Sequence, residues 1–143
     1  MKRGKAGPGP EEYRRLAEFR YLLQRFLEFS EAAAVAAGLT PRQHQALLAI
    51  KGAAEGATPT IGYLAERLCV QHNSAVELVD RLVESGLLRR APDERDRRRV
   101  LLLLTPVAER RLAALSADHM QELRNLRPAL LEILGADAGG PHA

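Results

Sequence analysis

The stretch from Thr58 to Thr105 restricts this chain more than any other. At its centre, Ala75, Leu78, Val79 and Leu82 recur at i, i+3, i+4 and i+7, the spacing of one buried helical stripe. The other face carries Gln71, His72, Asn73, Ser74, Glu77 and Arg81, side chains that donate to or accept from base edges and phosphates. Upstream, Thr60 opens a short helix with Ile61, Leu64, Ala65 and Leu68 on one side. The link Cys69-Val70-Gln71 joins the two as a helix-turn-helix, whose second helix suits a major groove. Downstream, Leu87-Leu88-Arg89-Arg90-Ala91 and Arg99-Val100-Leu101-Leu102-Leu103-Leu104 read as strands flanking the charged loop Pro92-Asp93-Glu94-Arg95-Asp96-Arg97-Arg98. A helix-turn-helix followed by a basic hairpin is a winged helix, and the wing is placed to reach an adjacent minor groove.

The rest of the composition fits that reading. At 143 residues and 46% hydrophobic, the chain is one domain's worth with enough apolar mass for a core. With no Trp and 4% aromatics, that core must be mostly Leu, Ala and Val, as in helical proteins. Net charge is only +3, yet the sequence pI is near 9.4 and arginines cluster in the hairpin loop. A polyanion responds to that local density rather than to the total. A single cysteine excludes an internal disulfide framework and fits a reducing compartment. No apolar run is long enough to span a bilayer, and Met1-Lys2-Arg3-Gly4-Lys5 is not followed by an apolar signal segment. The expectation is a cytoplasmic protein without a membrane partner.

Taken in order, residues 1–10 are rich in Gly, Pro and Lys and read as a flexible arm. A long helix follows over 11–38, with Leu16, Phe19, Leu23, Phe26, Leu27, Ala33, Ala34 and Ala37 in helical period and Gly38 as its stop. At roughly 25 residues, or about 38 Å, it exceeds what a small winged helix needs, so a second subunit is expected to cover its stripe. Thr40-Pro41-Arg42-Gln43 is a cap, a first-turn proline and a capping-box partner, opening a helix with Leu47, Leu48 and Ile50 inward. Glu55-Gly56-Ala57-Thr58-Pro59 is a loop, expected to end in a short strand beside the wing. Ser85-Gly86 closes the second helix of the helix-turn-helix with Gly at a left-handed position. Thr105-Pro106 repeats the cap-plus-proline start. The apolar run through Leu112, Leu115, His119, Leu123 and Leu126 is expected to break at Pro128, leaving a last short helix before Gly135. Residues 136–143 read as a flexible tail. The organisation is therefore mainly α with a small β wing. The winged helix-turn-helix spans 39–105, and helices over 11–38 and 106–135 form a homodimer at the two chain ends.

At this point the sequence resembles the MarR family of bacterial transcriptional regulators over about Glu11 to Gly135. The carriers are Leu39-Thr40-Pro41-Arg42-Gln43, Leu64-Ala65-Glu66-Arg67-Leu68, Leu78 to Arg90, and Asp93 to Val100 leading to Leu104-Thr105-Pro106. Asp93, Arg95, Asp96 and Arg98 match the family's wing signature. The resemblance implies a homodimer on pseudo-palindromic double-stranded DNA, usually a repressor released by a small molecule, of aromatic or lipophilic kind, or by oxidation. Two departures stand out. Gln71 opens the second helix where Ser or Thr is common, and the first helix lacks the cysteine of peroxide-sensing relatives.

Weighed singly, Arg95 at the wing tip reads as a minor-groove contact, with Arg97 or Arg98 on phosphate and Arg99, at the start of the strand, as structural; the bland reading is a solvated charged turn. Asp93 and Asp96 would weaken a phosphate clamp and fit better as acids that orient Arg95 and Arg98. Asn73 suits adenine and Ser74 a base or phosphate. Either a phosphate or an acid such as Asp93 holds Arg81. Thr40, Arg42 and Thr60 sit at helix starts where phosphates bind, although capping alone explains both threonines. Cys69, in the turn between Leu68 and Val70, reads as buried filler ahead of the rival reading of a sensor thiol activated at a helix start. His44 is the one weak effector-site candidate, against the plainer reading of a satisfied, half-buried histidine. No spacing of His or Cys suggests a metal, no cofactor is implied, and no catalytic constellation points to an enzyme. The competing function class is a helical interaction module whose winged helix binds protein.

Overall fold

The computed structural model describes residues 6–54 and 57–135. Its elements run α1 (Pro10–Ala36), α2 (Pro41–Lys51), α3 (Ile61–Leu68), α4 (His72–Glu84), β1 (Leu88–Pro92), β2 (Val100–Leu104) and α5 (Pro106–Leu134). The arm expected over 1–10 falls partly, and the tail over 136–143 wholly, outside the described residues, as do Glu55 and Gly56. Residue contacts divide the chain into two units: Glu31–Ala117, and Met1–Ser30 with Asp118–Ala143.

The Glu31–Ala117 unit is the winged helix-turn-helix. Leu47, Leu64, Val79, Leu82, Leu88 and Leu102 are its largest fully buried side chains, one or two from each element between α2 and β2. Burying such a side chain contributes about 1.5–3 kcal/mol, so this cluster is what orients the polar faces around it. The strands pair antiparallel, Leu88 opposite Leu104 and Pro92 opposite Val100. Pro92 extends β1 by one residue because, at its outer end, no ladder bond is asked of the missing N–H. The strand expected before α3 is instead a single bond, Leu102 N–H to the Pro59 carbonyl at 2.8 Å.

Helix ends follow local chemistry closely. Thr40 and Gln43 form the full capping box, and Thr60 Oγ1 accepts from Tyr63 N–H at 3.2 Å. Three helices then close in one pattern, in which an amide just past the helix reaches back five residues to a carbonyl of its last turn. Leu39 N–H reaches Ala34 O, Leu87 N–H reaches Leu82 O, and Val70 N–H reaches Ala65 O, at 2.9–3.0 Å. The residue before each acceptor-reaching amide is left-handed: Gly38, Gly86, and Cys69 at φ 55°.

Several expectations are corrected here. Cys69 is exposed, not buried, because the left-handed turn carries its side chain outward although Leu68 and Val70 are half-buried. Leu48 is 48% exposed and points away from the core that Leu47 and Ile50 enter. α5 passes through Pro128 as one helix of 29 residues. Leu126, Ala129, Leu130 and Ile133 are all half-buried and keep one helical face across the proline, so continued packing outweighs one missing bond.

The other unit is built from α1 up to Ser30 and α5 from Asp118. His119 Nε2 lies 2.8 Å from Ser30 Oγ, and its ring meets Phe26 and Phe29 edge-on at 5.8 and 5.2 Å. None of its described hydrophobic residues is fully buried, and Leu16 is 61% and Leu131 56% exposed.

The turn at Cys69 yields a test. A non-glycine residue in the left-handed region costs about 1–2 kcal/mol, partly offset by the entropy that glycine loses on folding. Cys69→Gly is therefore expected to raise unfolding free energy in urea by up to about 1 kcal/mol, and Cys69→Val to lower it. A Cys69→Gly protein less stable than its parent would contradict the assignment of strain to this turn.

Candidate nucleic-acid interface

With Ala75, Val79 and Leu82 buried, α4 has no choice of outward face. Gln71 is its N-cap residue, extended at φ −68° and ψ 152° and making no side-chain cap bond. Gln71, His72, Asn73, Ser74, Glu77 and Arg81 are all exposed. At 3.6 residues per turn Asn73, Glu77 and Arg81 lie opposite the buried stripe, whereas Gln71 and His72 fall nearer its side and are exposed because the helix begins there.

Two recesses border that surface. A first, of about 200 Å³, is lined by Thr40, Arg42 and Gln43 from the start of α2 and by Ser74, Glu77 and Arg81 from α4, over Val70 and Leu78. The second is a broad groove of about 700 Å³ between the wing base and α3, bringing Thr58, Thr60, His72, Arg98 and Arg99 together. Five expected residues (Thr40, Arg42, Ser74, Glu77 and Arg81) therefore share one recess, and three (Thr60, His72 and Arg98) share the other. Gln71, Asn73, Arg95 and Arg97 line neither. Thr40 and Thr60 cap their helices, which accounts for each without a phosphate.

The wing is ordered by its acids, in two different ways. Asp93, only 9% exposed, accepts from Arg95 N–H at 2.9 Å, while its own N–H bonds to Arg99 O. Its carboxylate fixes the backbone beneath Arg95 rather than the guanidinium. Asp96 takes Arg98 directly: Oδ1 accepts from the Arg98 backbone N–H and from Nε at 3.1 Å each, and Oδ2 from a terminal nitrogen at 3.3 Å. Arg99 Nε stands 3.6 Å from the same carboxylate, and its Nη1 lies 3.5 Å from Thr58 Oγ1. The side-chain and backbone bonds from Arg98, with the Arg99 charge, hold the Asp96 carboxyl below the ordinary aspartate range. Arg95 and Arg97 are exposed, and no ion pair among the described residues includes them.

Sequence reasoning gave four residues around this surface no part in it: Arg90, Gln43, Thr58 and Arg99. Arg90 on β1 pairs with Asp80 on α4, tying the helix to the hairpin; Arg81, for which an acid was one reading, is not the residue so held. Gln43 joins the first recess, and Thr58 with Arg99 joins the second. No local pattern singles out Arg90; only the strand crossing shows which acid it meets. His44 is buried at 3% exposure, deeper than expected, and lines neither recess. Among the described residues no three His, Cys, Asp or Glu side chains converge for a metal, and no helix is long and apolar enough to cross a membrane.

Residues 37–99 match the model of the MarR family. Among solved structures, CouR from Rhodococcus jostii RHA1, crystallised with p-coumaroyl-CoA, is 27% identical with a TM-score of 0.61. The match covers 72% of this chain and 71% of that one. A probable transcriptional regulator from Pseudomonas aeruginosa is also 27% identical, over 85% of this chain and 89% of its own, with a TM-score of 0.60. S. aureus MepR, solved as a complex with DNA, shares the fold at 18% identity and a TM-score of 0.66, over 85% of this chain and 88% of that. No protein of curated function matches the chain.

Asp96 supplies a pH test. Its carboxyl is depressed in the folded wing, so the ordering it provides is present above the ordinary aspartate pKa and lost as pH falls through the lowered value. The Arg98 backbone amide and Nε–H resonances are expected to hold still through the ordinary carboxylate range and to move only below it. Movement centred on the ordinary value would mean that the Asp96–Arg98 bonds are not populated in solution.

Proposed function

We propose that this chain, whose residues 37–99 match the model of the MarR family, is a dimeric, sequence-specific DNA-binding regulator of that family that acts as a repressor released by a small effector. The observation that carries this reading is the exposed polar face of α4, formed by Asn73, Ser74, Glu77 and Arg81 and set by a fully buried opposite stripe. That face suits a major groove. Arg95, held forward by the Asp93-ordered backbone, suits the neighbouring minor groove, and Arg97 and Arg98 suit phosphates. The complex of MepR with DNA supports the first part of the proposal, and CouR with its acyl-CoA supports the effector.

The dimer rests on the other unit. Its described residues include no buried hydrophobic side chain, while Leu16, Phe19, Leu123 and Leu131 stand open to water. A second copy of the same helices covers such faces with two-fold symmetry, and brings two α4 helices to sites one turn of duplex apart, about 34 Å. An effector that favours another separation draws the population off the operator.

Two measurements test this. Sedimentation at micromolar protein is expected to give twice the 15.7 kDa chain mass, and Leu16→Glu with Leu131→Glu to give one. Arg97→Ala removes one phosphate contact per wing, so the dependence of log affinity on log salt is expected to flatten by about two for a dimer. Footprinting of the DNA upstream of the chain's own gene separates the rival reading: a protected inverted repeat supports the regulator, and none at low salt supports a protein-binding module.

A further inference from the structure

For a helix laid against a polyanion, α4 has the wrong charge. Between His72 and Glu84 it carries Glu77, Asp80 and Glu84 against the single arginine Arg81. Asp80 is engaged by Arg90, and Glu84 is the last residue of the helix. Glu77 has neither excuse. At 3.6 residues per turn it lies almost diametrically opposite the mean direction of the buried Ala75, Val79 and Leu82, at the middle of the outward face. It is exposed, and no ion pair among the described residues includes it, although Arg42 and Arg81 line the same recess. Arginine contacts to phosphate do not require a carboxylate between them, and one placed there is repelled by the backbone.

We propose that Glu77 is the base-reading residue of α4, selecting a cytosine in each half-site; this rests on the reading of the chain as a DNA-binding regulator. In the major groove a carboxylate finds a partner only where a base edge offers a donor without an adjacent acceptor. Guanine presents two acceptors, and thymine an acceptor and a methyl group. Adenine offers N6–H beside the N7 lone pair, which repels a second carboxylate oxygen, whereas cytosine offers N4–H alone. Arg42 from α2 and Arg81 from α4, which line the same recess as Glu77, are suited to the phosphates that bracket that base. The acid thus lowers affinity for duplex in general and restores it at one base, which makes it a discriminator rather than an anchor.

The test is selection from randomised duplexes by the full-length protein, followed by titration of single-base variants of the selected site. Wild type is expected to enrich an inverted repeat with one fixed cytosine in each half, and replacing it to weaken binding by tenfold or more. Glu77→Gln leaves size and helix unchanged at an exposed position. It is expected to move the preference at that position to adenine, since a carboxamide both donates to N7 and accepts from N6–H. Glu77→Ala is expected to erase the preference and to tighten binding to random duplex at low salt. If all three proteins select one and the same motif, the assignment of Glu77 is overturned while the DNA-binding reading stands. If wild type, folded by its thermal transition, enriches no motif, that reading falls and the assignment of Glu77 with it.

Discussion

Everything that this chain presents to a partner is set by the burial of one helical stripe. Ala75, Val79 and Leu82 are fully buried, and together with Leu47, Leu64, Leu88 and Leu102 they leave α4 only one rotation about its axis. Turning the helix by half a turn would bury Glu77 and Asn73 without partners, at a cost of several kcal/mol, and expose three side chains that the core needs. The surface is therefore a consequence of the core. The left-handed turn at Cys69 and the left-handed Gly86 then fix where α4 begins and ends, and with it which polar residues stand on its first two turns.

Charge is divided unevenly between two elements, the wing and α4. Positive charge is gathered on the wing, where Asp93 shapes the backbone and Asp96 gathers Arg98 and Arg99, leaving Arg95 and Arg97 exposed. Such a hairpin supplies attraction that is indifferent to base sequence and falls with salt. The helix between the wing and α2 carries a net acidic complement and is poorly suited to indiscriminate binding. On this reading affinity comes mainly from the wing and from Arg42, and selectivity from α4. That arrangement keeps non-specific duplex from competing as strongly as an all-basic surface would allow.

Much of this was legible in the residues, because local chemistry decides it. The Thr40 capping box, the Gly38 and Gly86 stops, the strand pair and the stripe on α4 depend on neighbours within a few positions. What was not legible depends on the third dimension. Leu48 is apolar and adjacent to Leu47, yet helical rotation puts it outside. Cys69 has apolar neighbours, yet its own backbone angle turns it to solvent. Pro128 is a breaker by local rules, yet the face shared by Leu126, Ala129, Leu130 and Ile133 carries the helix past it. The choice of Arg90 over Arg81 as the charged partner on α4's flank depends on where β1 crosses, which no local pattern encodes.

The central claim is that the α4 face and the wing tip together form the surface that meets duplex DNA. Hydrogen–deuterium exchange of the intact protein, with and without a duplex it binds, tests this most directly. Exchange is expected to slow over Gln71–Arg81 and Asp93–Arg99, with no change around Gln45–Leu48 on the far side of α2. Protection confined to α2 and α3, with α4 and the wing unaffected, would contradict it.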